Sequence, residues 1–334
     1  MSQTSQTSAV EAAGGDAPVA ELRGIAIEIG GTEIVTQADL AIDPGESVGL
    51  VGESGSGKSV TCRAFTGILG FIGGNTTRGH VLVEGNDMTG ATSDGWRQVR
   101  GGTIALIPQA SLAGLDPVMK VGRQMAEVVR RYDNKGDVRR RSLELLDQVQ
   151  MPQPERVLNS YPHELSGGMR QRAMIAMGIA GRPKLLIADE PTTALDATVQ
   201  QAILDLLRRL RDEMGMALLL VSHDLGAIRS ATDRVAVMYA GTLVESGRSS
   251  DVLHQPRHPY SAALIASDPS LMERGERLRG LFGDPPQPGS WPVGCRFQPR
   301  CAHAQDRCQD AAPELVDDGN RHLVAYVRSG ELEL

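Results

Sequence analysis

Short, largely apolar runs recur along the chain, and they predict strands that are buried on both faces of a sheet. The runs lie at Ser47–Val51, Leu185–Ala188 and Ala217–Val221, and each ends in polar or glycine-rich sequence. Strands of a parallel sheet covered by helices on both sides lack a polar face, so they are apolar without alternation. The pattern therefore predicts a parallel sheet.

Helices are predicted between these strands. Val199, Ile203, Leu206 and Leu210 recur with a period close to that of an α-helix, which indicates one apolar helical face. A further helix is predicted over VTCRAFTGIL, residues 60–69. Buried strands that alternate with helices place the chain in the α/β class.

The ends and the apolar runs favour a protein without a membrane span. The longest apolar runs are short, such as MALLLV at Met216–Val221, whereas a transmembrane helix needs about 20 apolar residues. Residues 1–20 are small and polar, with no Lys or Arg before Arg23, so we expect a disordered tail and no signal peptide. The cysteines are then expected in a reducing cytoplasm.

Composition narrows the classes of function. The 334 residues are 41% hydrophobic and 22% charged, which is ordinary for a folded protein, and the length allows one large domain and a smaller one. The net charge of −7 argues against nucleic-acid binding by bulk electrostatics, so no nucleic-acid partner is expected.

A glycine-rich segment, GESGSGKS at Gly52–Ser59, lies between a predicted strand and a predicted helix. It fits G-x-x-x-x-G-K-[ST], whose glycines let successive backbone N–H groups face a phosphate, while the helix dipole adds positive charge. The order strand, loop, helix disfavours the alternative of a glycine-rich turn without a ligand. The predicted nucleotide-binding residues here are Gly52, Glu53, Ser54, Gly55, Ser56, Gly57, Lys58, Ser59 and Val60.

Acidic residues and a histidine follow the other two predicted strands. Asp189 and Glu190 come directly after Leu185–Ala188, and His223 comes after Ala217–Val221. Ligands bind at the carboxyl edge of such sheets. We expect Asp189 to hold Mg²⁺ through water, Glu190 to polarise an attacking water, and His223 to lie near the γ-phosphate.

The segment LSGGMRQR, Leu165–Arg172, precedes the acidic strand. The N–H groups at the start of its predicted helix make a second anion site. Together, in order, GESGSGKS, Gln109, LSGG, LLIADEP, Ala194-Leu195-Asp196 and His223 resemble the motifs of ABC-type ATPases. The resemblance implies an α/β P-loop NTPase core with a parallel sheet, an antiparallel β subdomain and a helical subdomain over about residues 110–165.

The resemblance also implies the roles of the site residues. In this family the LSGG motif of one subunit closes on ATP bound by the phosphate motif of the other. Because the chain has one copy of each motif, the resemblance implies that it supplies half of each such site and needs a second nucleotide-binding subunit. Gln109 is implied to begin the loop that senses the membrane subunit. The implied catalytic residues are Glu190, His223 and Lys58; those that contact Mg²⁺ are Ser59, Gln109 and Asp189; and those that contact ATP on the partner are Ser166, Gly167, Gly168 and Gln171.

The segment QPRHPYSAALIASDPSL, Gln255–Leu271, is similar to the C-terminal extension of oligopeptide and dipeptide importer ATPases, and nickel importers share much of it. We therefore expect a nucleotide-binding domain over residues 21–254 and an extension over 255–334 that folds beyond the catalytic core. The implied partners are a second, different ATPase, two transmembrane permease subunits and an extracytoplasmic substrate-binding protein. The implied location is peripheral, on the cytoplasmic face of the membrane.

Two motifs depart from the family pattern. The family usually stacks an aromatic side chain on adenine, but no Phe, Tyr or Trp precedes Phe65, so Ile27 or Ile29 is expected there and ATP binding should be weaker. Around Gln109 the peptide-importer group usually has Phe before the glutamine and Asp-Pro after it. Here Pro108 precedes it and Ala110-Ser111 follow, which puts the coupling geometry of this loop in question.

The third departure is in the segment GCRFQPRCAHAQDRC, residues 294–308. Relatives often carry four tail cysteines that can hold a 4Fe–4S cluster, and Cys295, Cys301 and Cys308 match three of them. Tyr326 stands where the fourth is expected. A cluster whose last ligand is His303, His322, Tyr326 or solvent, a zinc ion bound by three Cys and one His, and a metal-free tail all remain open.

Two other functions compete with transport. A soluble ABC ATPase that acts on DNA or ribosomes is disfavoured, because the chain lacks long heptad insertions and a second ATPase core. A regulatory ATPase that turns over slowly is disfavoured by the intact Glu190 and His223. The sequence favours the ATP-hydrolysing subunit of a peptide importer and does not identify the cargo.

Overall fold

The computed structural model describes residues 17–109, 114–133, 136–271, 280–317, 321–329 and 331. Residues 1–16 of the tail expected over residues 1–20 lie outside the described residues, and the first strand begins at Ala20. Residues 110–113, which follow Gln109, also lie outside. The strands are β1 (Ala20–Ile29), β2 (Thr32–Ile42), β3 (Ser47–Val51), β4 (Gly74–Val83), β5 (Asn86–Asp87), β6 (Ile104–Ile107), β7 (Leu185–Asp189), β8 (Ala217–Val221), β9 (Arg234–Tyr239), β10 (Thr242–Arg248), β11 (Val316–Asp317) and β12 (Leu323–Val324).

The strands of the described residues form one mixed sheet in the order β5-β4-β1-β2-β10-β9-β3-β8-β7-β6, with β12 also pairing with β10. The pairs β6–β7, β7–β8, β8–β3 and β3–β9 are parallel, which confirms the predicted parallel sheet. The pairs β1–β2, β1–β4 and β4–β5 are antiparallel and form the β subdomain that the resemblance implied.

Helices lie on both faces of the parallel part of the sheet. The α-helices of the described residues are α1 (Lys58–Ala64), α2 (Ser93–Val99), α3 (Val121–Tyr132), α4 (Val138–Gln148), α5 (Pro154–Asn159), α6 (Gly167–Gly178), α7 (Ala197–Met214), α8 (Leu225–Ala231), α9 (Ser249–His254) and α10 (Pro259–Ala266). Helices α3 to α5 lie in the range expected for the helical subdomain. Within the part of the chain that the structure covers, no helix has the length and apolar character that a membrane crossing requires.

The helix predicted over residues 60–69 is shorter in the structure, where α1 ends at Ala64. Gly67 adopts a φ of +61°, in the left-handed region, and the indole ring of Trp96 lies against it. A Cβ atom on Gly67 would come within 2.2 Å of that ring. The close packing of Trp96 therefore turns the chain where the apolar pattern alone would have continued the helix.

Two hydrophobic cores lie on opposite sides of the parallel strands. In β8, Leu218 and Leu220 face the core shared with the helical subdomain, whereas Leu219 and Val221 face the core shared with α1 and the β subdomain. Both faces of the strand are thus buried, which explains its unbroken apolar sequence.

The C-terminal extension is joined to the catalytic core and continues it. Strand β12 pairs with Glu245 and Ser246 of β10, so the extension adds a strand to the sheet. Phe297, Cys295 and Cys308 are buried in the same core as α6 and α7. The division of the chain at residue 255 stays a prediction, and the apolar side chains of the extension share one hydrophobic core with α6 and α7.

His258 anchors this junction from a fully buried position at the start of α10. Its Nδ1 accepts a hydrogen bond from the backbone N–H of Tyr260 at 3.0 Å, so the ring is neutral with the proton on Nε2. Burial lowers the pKa of His258 to about 4, against the opposing effect of the nearby Glu245 carboxylate. The folded protein therefore resists protonation at this ring.

This pKa predicts a loss of stability on acidification. Below pH 6.5 the unfolded chain binds a proton at His258, whereas the folded chain stays neutral down to about pH 4. The free energy of unfolding should therefore fall as the pH falls through this window, by up to about 1.4 kcal/mol per pH unit. His258→Asn keeps a side-chain acceptor at the helix start but cannot titrate. Urea unfolding between pH 7.5 and 4.5 should show that the free energy of unfolding falls less steeply with pH in the variant than in the wild type. Equal slopes in the two proteins would contradict the lowered pKa of His258.

Candidate functional site

The glycine-rich loop lies between β3 and α1, as predicted, and neighbouring side chains and backbone dictate its glycines. A Cβ on Gly52, whose φ is +148°, would lie 2.0 Å from the carbonyl oxygen of Met238 in β9. Gly57, at a φ of +107°, precedes α1 as its N-cap and lies against the side chain of Met238. Only glycine allows the loop to pack this closely on β9 while its N–H groups turn toward a ligand.

Lys58 closes the loop on itself. Its ammonium Nζ donates to the backbone oxygens of Gly52 at 2.7 Å and Glu53 at 2.9 Å. Burial lowers the pKa of Lys58, and the carboxylates of Glu190 and Asp189 oppose that shift. The ammonium is thus held at the glycine-rich loop by neutral carbonyl groups, which leave its positive charge available to an anionic ligand.

Ser59 and Asp189 meet at the carboxyl end of β7. The Ser59 hydroxyl donates to Asp189 Oδ1 at 3.0 Å. Burial raises the pKa of Asp189, while the Ser59 hydrogen bond opposes the shift. A hydroxyl and a carboxylate that converge beside the phosphate loop are hard oxygen donors of the kind that Mg²⁺ prefers, so these residues fit the ion that the resemblance implies.

Glu190 sits at a strained backbone position, with a φ of +47°. Its Oε2 accepts hydrogen bonds from Gln109 Nε2 at 2.8 Å and from the Thr193 hydroxyl at 2.9 Å, and His223 Nδ1 lies 3.7 Å away. The structure thus brings Gln109, Glu190 and His223 together, from the ends of β6, β7 and β8. Thr193 was missed by the sequence analysis, and the turn that follows Glu190 was the only available signal.

The segment LSGGMRQR, Leu165–Arg172, contains the start of helix α6, as predicted. Ser166 caps α6 by accepting a hydrogen bond from the Met169 N–H at 3.3 Å. Gly167 and Gly168 lie against Leu195 and Val199 at the start of α7.

The residues of two other predicted nucleotide contacts differ in how exposed they are. Gln171 is only 3% exposed, and its Nε2 has no hydrogen-bond partner among the described residues, so its side chain does not face the surface. Of the two candidates for the adenine contact, Ile27 is fully buried in a core and Ile29 is half-buried. Of these two, only Ile29 keeps surface that a base could contact.

The three tail cysteines gather around Tyr326. Cys295 and Cys308 are buried, and the Cys295 N–H donates to the Cys308 carbonyl at 2.8 Å. Burial, helped by the thiols of Cys301, Cys308 and Cys295, raises the pKa of Tyr326 to about 12. The tyrosine therefore lies near the three cysteines.

The described residues nevertheless give the metal hypothesis no support. Throughout this part of the chain, no group of three or more His, Cys, Asp or Glu side chains is arranged to hold a metal ion. Burial raises the pKa of Cys295 and Cys301, which favours thiols over thiolates. His322, one of the alternative ligands, is engaged elsewhere, with its Nε2 2.6 Å from Glu245 Oε1.

Comparison with known proteins agrees with this geometry. Residues 35–193 match the family model described as ABC transporter, and residues 244–308 match the model described as oligopeptide/dipeptide transporter, C-terminal region. The oligopeptide transport ATP-binding protein AppD of Bacillus subtilis is 42% identical over 84% of this chain and 87% of its own. A putative peptide import ATP-binding protein of Brucella abortus is 42% identical over 91% of this chain and 93% of its own.

Solved structures share the fold of the core. The ATP-binding cassette MJ0796, in a dimeric post-hydrolysis state with ADP and Pi, superposes with a TM-score of 0.60 at 27% identity. The match covers 69% of this chain and 98% of that one. CbiO1 of Clostridium perfringens superposes with a TM-score of 0.62 at 24% identity over 71% of this chain and 91% of its own, which supports the fold alone.

The contact between Thr193 and Glu190 predicts a kinetic effect. Thr193→Val keeps the side-chain shape but removes the hydroxyl that orients the Glu190 carboxylate, and a hydrogen bond to a charged group is worth about 1.5–3 kcal/mol. We expect kcat for ATP hydrolysis to fall about 10-fold with KM nearly unchanged, and Thr193→Ser to keep most of the wild-type kcat. Steady-state phosphate release measures both, and an unchanged kcat in Thr193→Val would show that the contact has no role.

Proposed function

The chain belongs to the ABC transporter family of ATP-binding subunits and is an ATPase, and from this premise we propose that it powers the uptake of peptides or a related small solute across the cytoplasmic membrane. The single observation that carries the proposal is the match of residues 244–308 to the C-terminal region of oligopeptide/dipeptide transporters. Relatives described as peptide import ATP-binding proteins support it over nearly the whole chain.

The residues at the carboxyl edge of the sheet have separate roles in ATP hydrolysis. Lys58 binds the β- and γ-phosphates, and the carbonyl groups of Gly52 and Glu53 hold its ammonium beside the loop. Ser59, Asp189 and Gln109 would hold Mg²⁺, which would supply charge stabilisation at the phosphate oxygens. Gln109 donates to Glu190 Oε2 and orients the carboxylate that accepts a proton from water. His223 orients the γ-phosphate beside it.

Helix α6, which begins within the LSGG motif, contributes to a second nucleotide site. In our proposal Ser166, Gly167 and Gly168 present the N-terminus of α6 to ATP held by the partner ATPase. The dimeric arrangement of the similar cassette MJ0796 supports such a pairing. ATP then joins the two subunits and hydrolysis separates them, so nucleotide state selects between two arrangements of the transporter. We propose that the partner is a different chain.

Two permease subunits and an extracytoplasmic substrate-binding protein complete the proposed importer, with this chain on the cytoplasmic face of the membrane. The helical subdomain, about residues 110–165, is the proposed contact with the permease. The C-terminal region favours this function over an ATPase that acts on DNA or ribosomes.

Purification with partners tests the function. Expressed with the permease genes and a second ATPase gene, the tagged chain should retain hydrophobic permease subunits in detergent. In liposomes, ATP hydrolysis by this complex should rise when peptide-loaded binding protein is added. Glu190→Gln should assemble equally well but lose at least about 100-fold in turnover, because an amide cannot accept the proton. Recovery of ribosomes or DNA in place of permease would overturn the proposal.

The tail cysteines carry a separate hypothesis, a 4Fe–4S cluster on Cys295, Cys301 and Cys308. Purification under argon tests it: a cluster predicts brown protein with about four irons per chain, both lost when Cys301 is replaced by Ser. Zinc held by three Cys and one His predicts colourless protein with about one zinc per chain. Colourless protein free of both metals would overturn both metal hypotheses.

A further inference from the structure

The C-terminal extension grips one residue of the phosphate loop from two sides. The backbone N–H of Glu53 donates to the Tyr260 hydroxyl at 2.8 Å. The Glu53 carboxylate receives two hydrogen bonds from the guanidinium of Arg300, Nη1 to Oε2 at 2.6 Å and Nη2 to Oε1 at 3.0 Å. Tyr260 lies 207 positions and Arg300 lies 247 positions further along the chain, outside the motifs that define the ATPase core.

Both gripping side chains are themselves fixed. Tyr260 is fully buried, with its ring centroid 4.4 Å from that of Tyr239 and 5.4 Å from that of Phe297. The Arg300 side chain is 5% exposed, and its Nε donates to the backbone oxygen of Phe282 at 2.8 Å. A side chain held by packing and by further hydrogen bonds can impose its geometry on the group that it binds.

Glu53 passes this constraint to the residue that binds phosphate. Its carbonyl oxygen accepts a hydrogen bond from Lys58 Nζ at 2.9 Å. One residue is therefore bonded to the extension through its N–H and carboxylate, and to the phosphate-binding lysine through its carbonyl. A shift of the Glu53 backbone would disturb all three groups, together with the N–H groups that the next residues of the loop present.

Charge gives a second reason for the pairing. The Glu53 carboxylate lies in the loop that receives a triphosphate, where an uncompensated negative charge would repel the ligand. Arg300 neutralises it with two parallel hydrogen bonds, the strongest geometry for a guanidinium and a carboxylate. The hydrogen bonds to Glu53 raise the pKa of Arg300 further, so the guanidinium stays charged.

We infer that Arg300 and Tyr260 are positioning residues of the nucleotide site, and that the C-terminal extension sets the affinity of the phosphate loop for ATP through Glu53. The inference rests on the ATP-binding part of the proposed function. It assigns a role to one residue in each of two segments quoted above, Tyr260 in QPRHPYSAALIASDPSL and Arg300 in GCRFQPRCAHAQDRC.

The test is a double-mutant cycle on ATP affinity, measured with a fluorescent ATP analogue on the full chain. We expect Arg300→Ala to weaken binding about 10-fold, through the exposed charge of Glu53 and the loosened loop. In the background of Glu53→Gln the same substitution should cost less than about 2-fold. Arg300→Lys, which keeps the charge and loses the paired geometry, should bind with intermediate affinity. Tyr260→Phe keeps the ring and should weaken binding about 3-fold, because only one hydrogen bond is lost.

Controls separate positioning from general stability. Arg307→Ala removes an exposed guanidinium of the same extension, paired with Glu331 and away from the loop, and should leave ATP affinity unchanged. Thermal unfolding identifies variants that do not fold. If Arg300→Ala does not fold, the conservative variants Arg300→Lys and Tyr260→Phe still test the inference. In steady-state hydrolysis, KM for ATP should rise while kcat stays within about 2-fold.

The outcomes distinguish this inference from the function on which it rests. Wild-type ATP affinity in both Arg300→Lys and Tyr260→Phe would overturn the inference. So would an equal loss of affinity from Arg300→Ala in the wild-type background and in the Glu53→Gln background, because additive effects mean that the two side chains do not act together. Either result would leave the ATPase function intact. A wild-type chain that binds no ATP would overturn the proposed function and the inference together.

Discussion

The Glu53 carboxylate, held by the buried guanidinium of Arg300, is the point at which the phosphate loop and the C-terminal extension become one structure. An ion pair withdrawn from water is stable only when both charges are matched and hydrogen-bonded, and here Tyr239 and Phe282 accept further hydrogen bonds from Arg300. The pair ties the first turn of the loop to a segment that also completes the hydrophobic core.

The parallel sheet supplies the other half of the site. Strands β3, β7 and β8 are buried on both faces, so their directions are fixed by the two cores, and they end at one edge with Lys58, Asp189, Glu190 and His223 nearby. Helix α1 begins directly after the loop at this edge, and the N-terminus of a helix attracts phosphate. The chemistry therefore depends on a rigid edge, while the loop beside it is steadied from the outside by the extension.

The parallel strands, the phosphate loop and the acidic edge could be predicted because local patterns encode them: apolar runs, glycine spacing and residues directly after strands. The contacts of the extension with Glu53 could not be predicted, since a hydrogen bond between Tyr260 and a loop N–H that lies 207 positions away produces no pattern in the sequence. The length of α1 was overestimated for the same reason, because the Trp96 ring that packs on Gly67 comes from a different helix. Long-range contacts, more than propensities, decided both features.

Amide hydrogen exchange in the nucleotide-free protein tests most directly whether the extension holds the loop. The account predicts that the Glu53 amide is protected in the wild type and exchanges much faster in Tyr260→Phe, while the amides of β3, Ser47–Val51, exchange at the same rate in both. Equal protection of the Glu53 amide in the two proteins would contradict it.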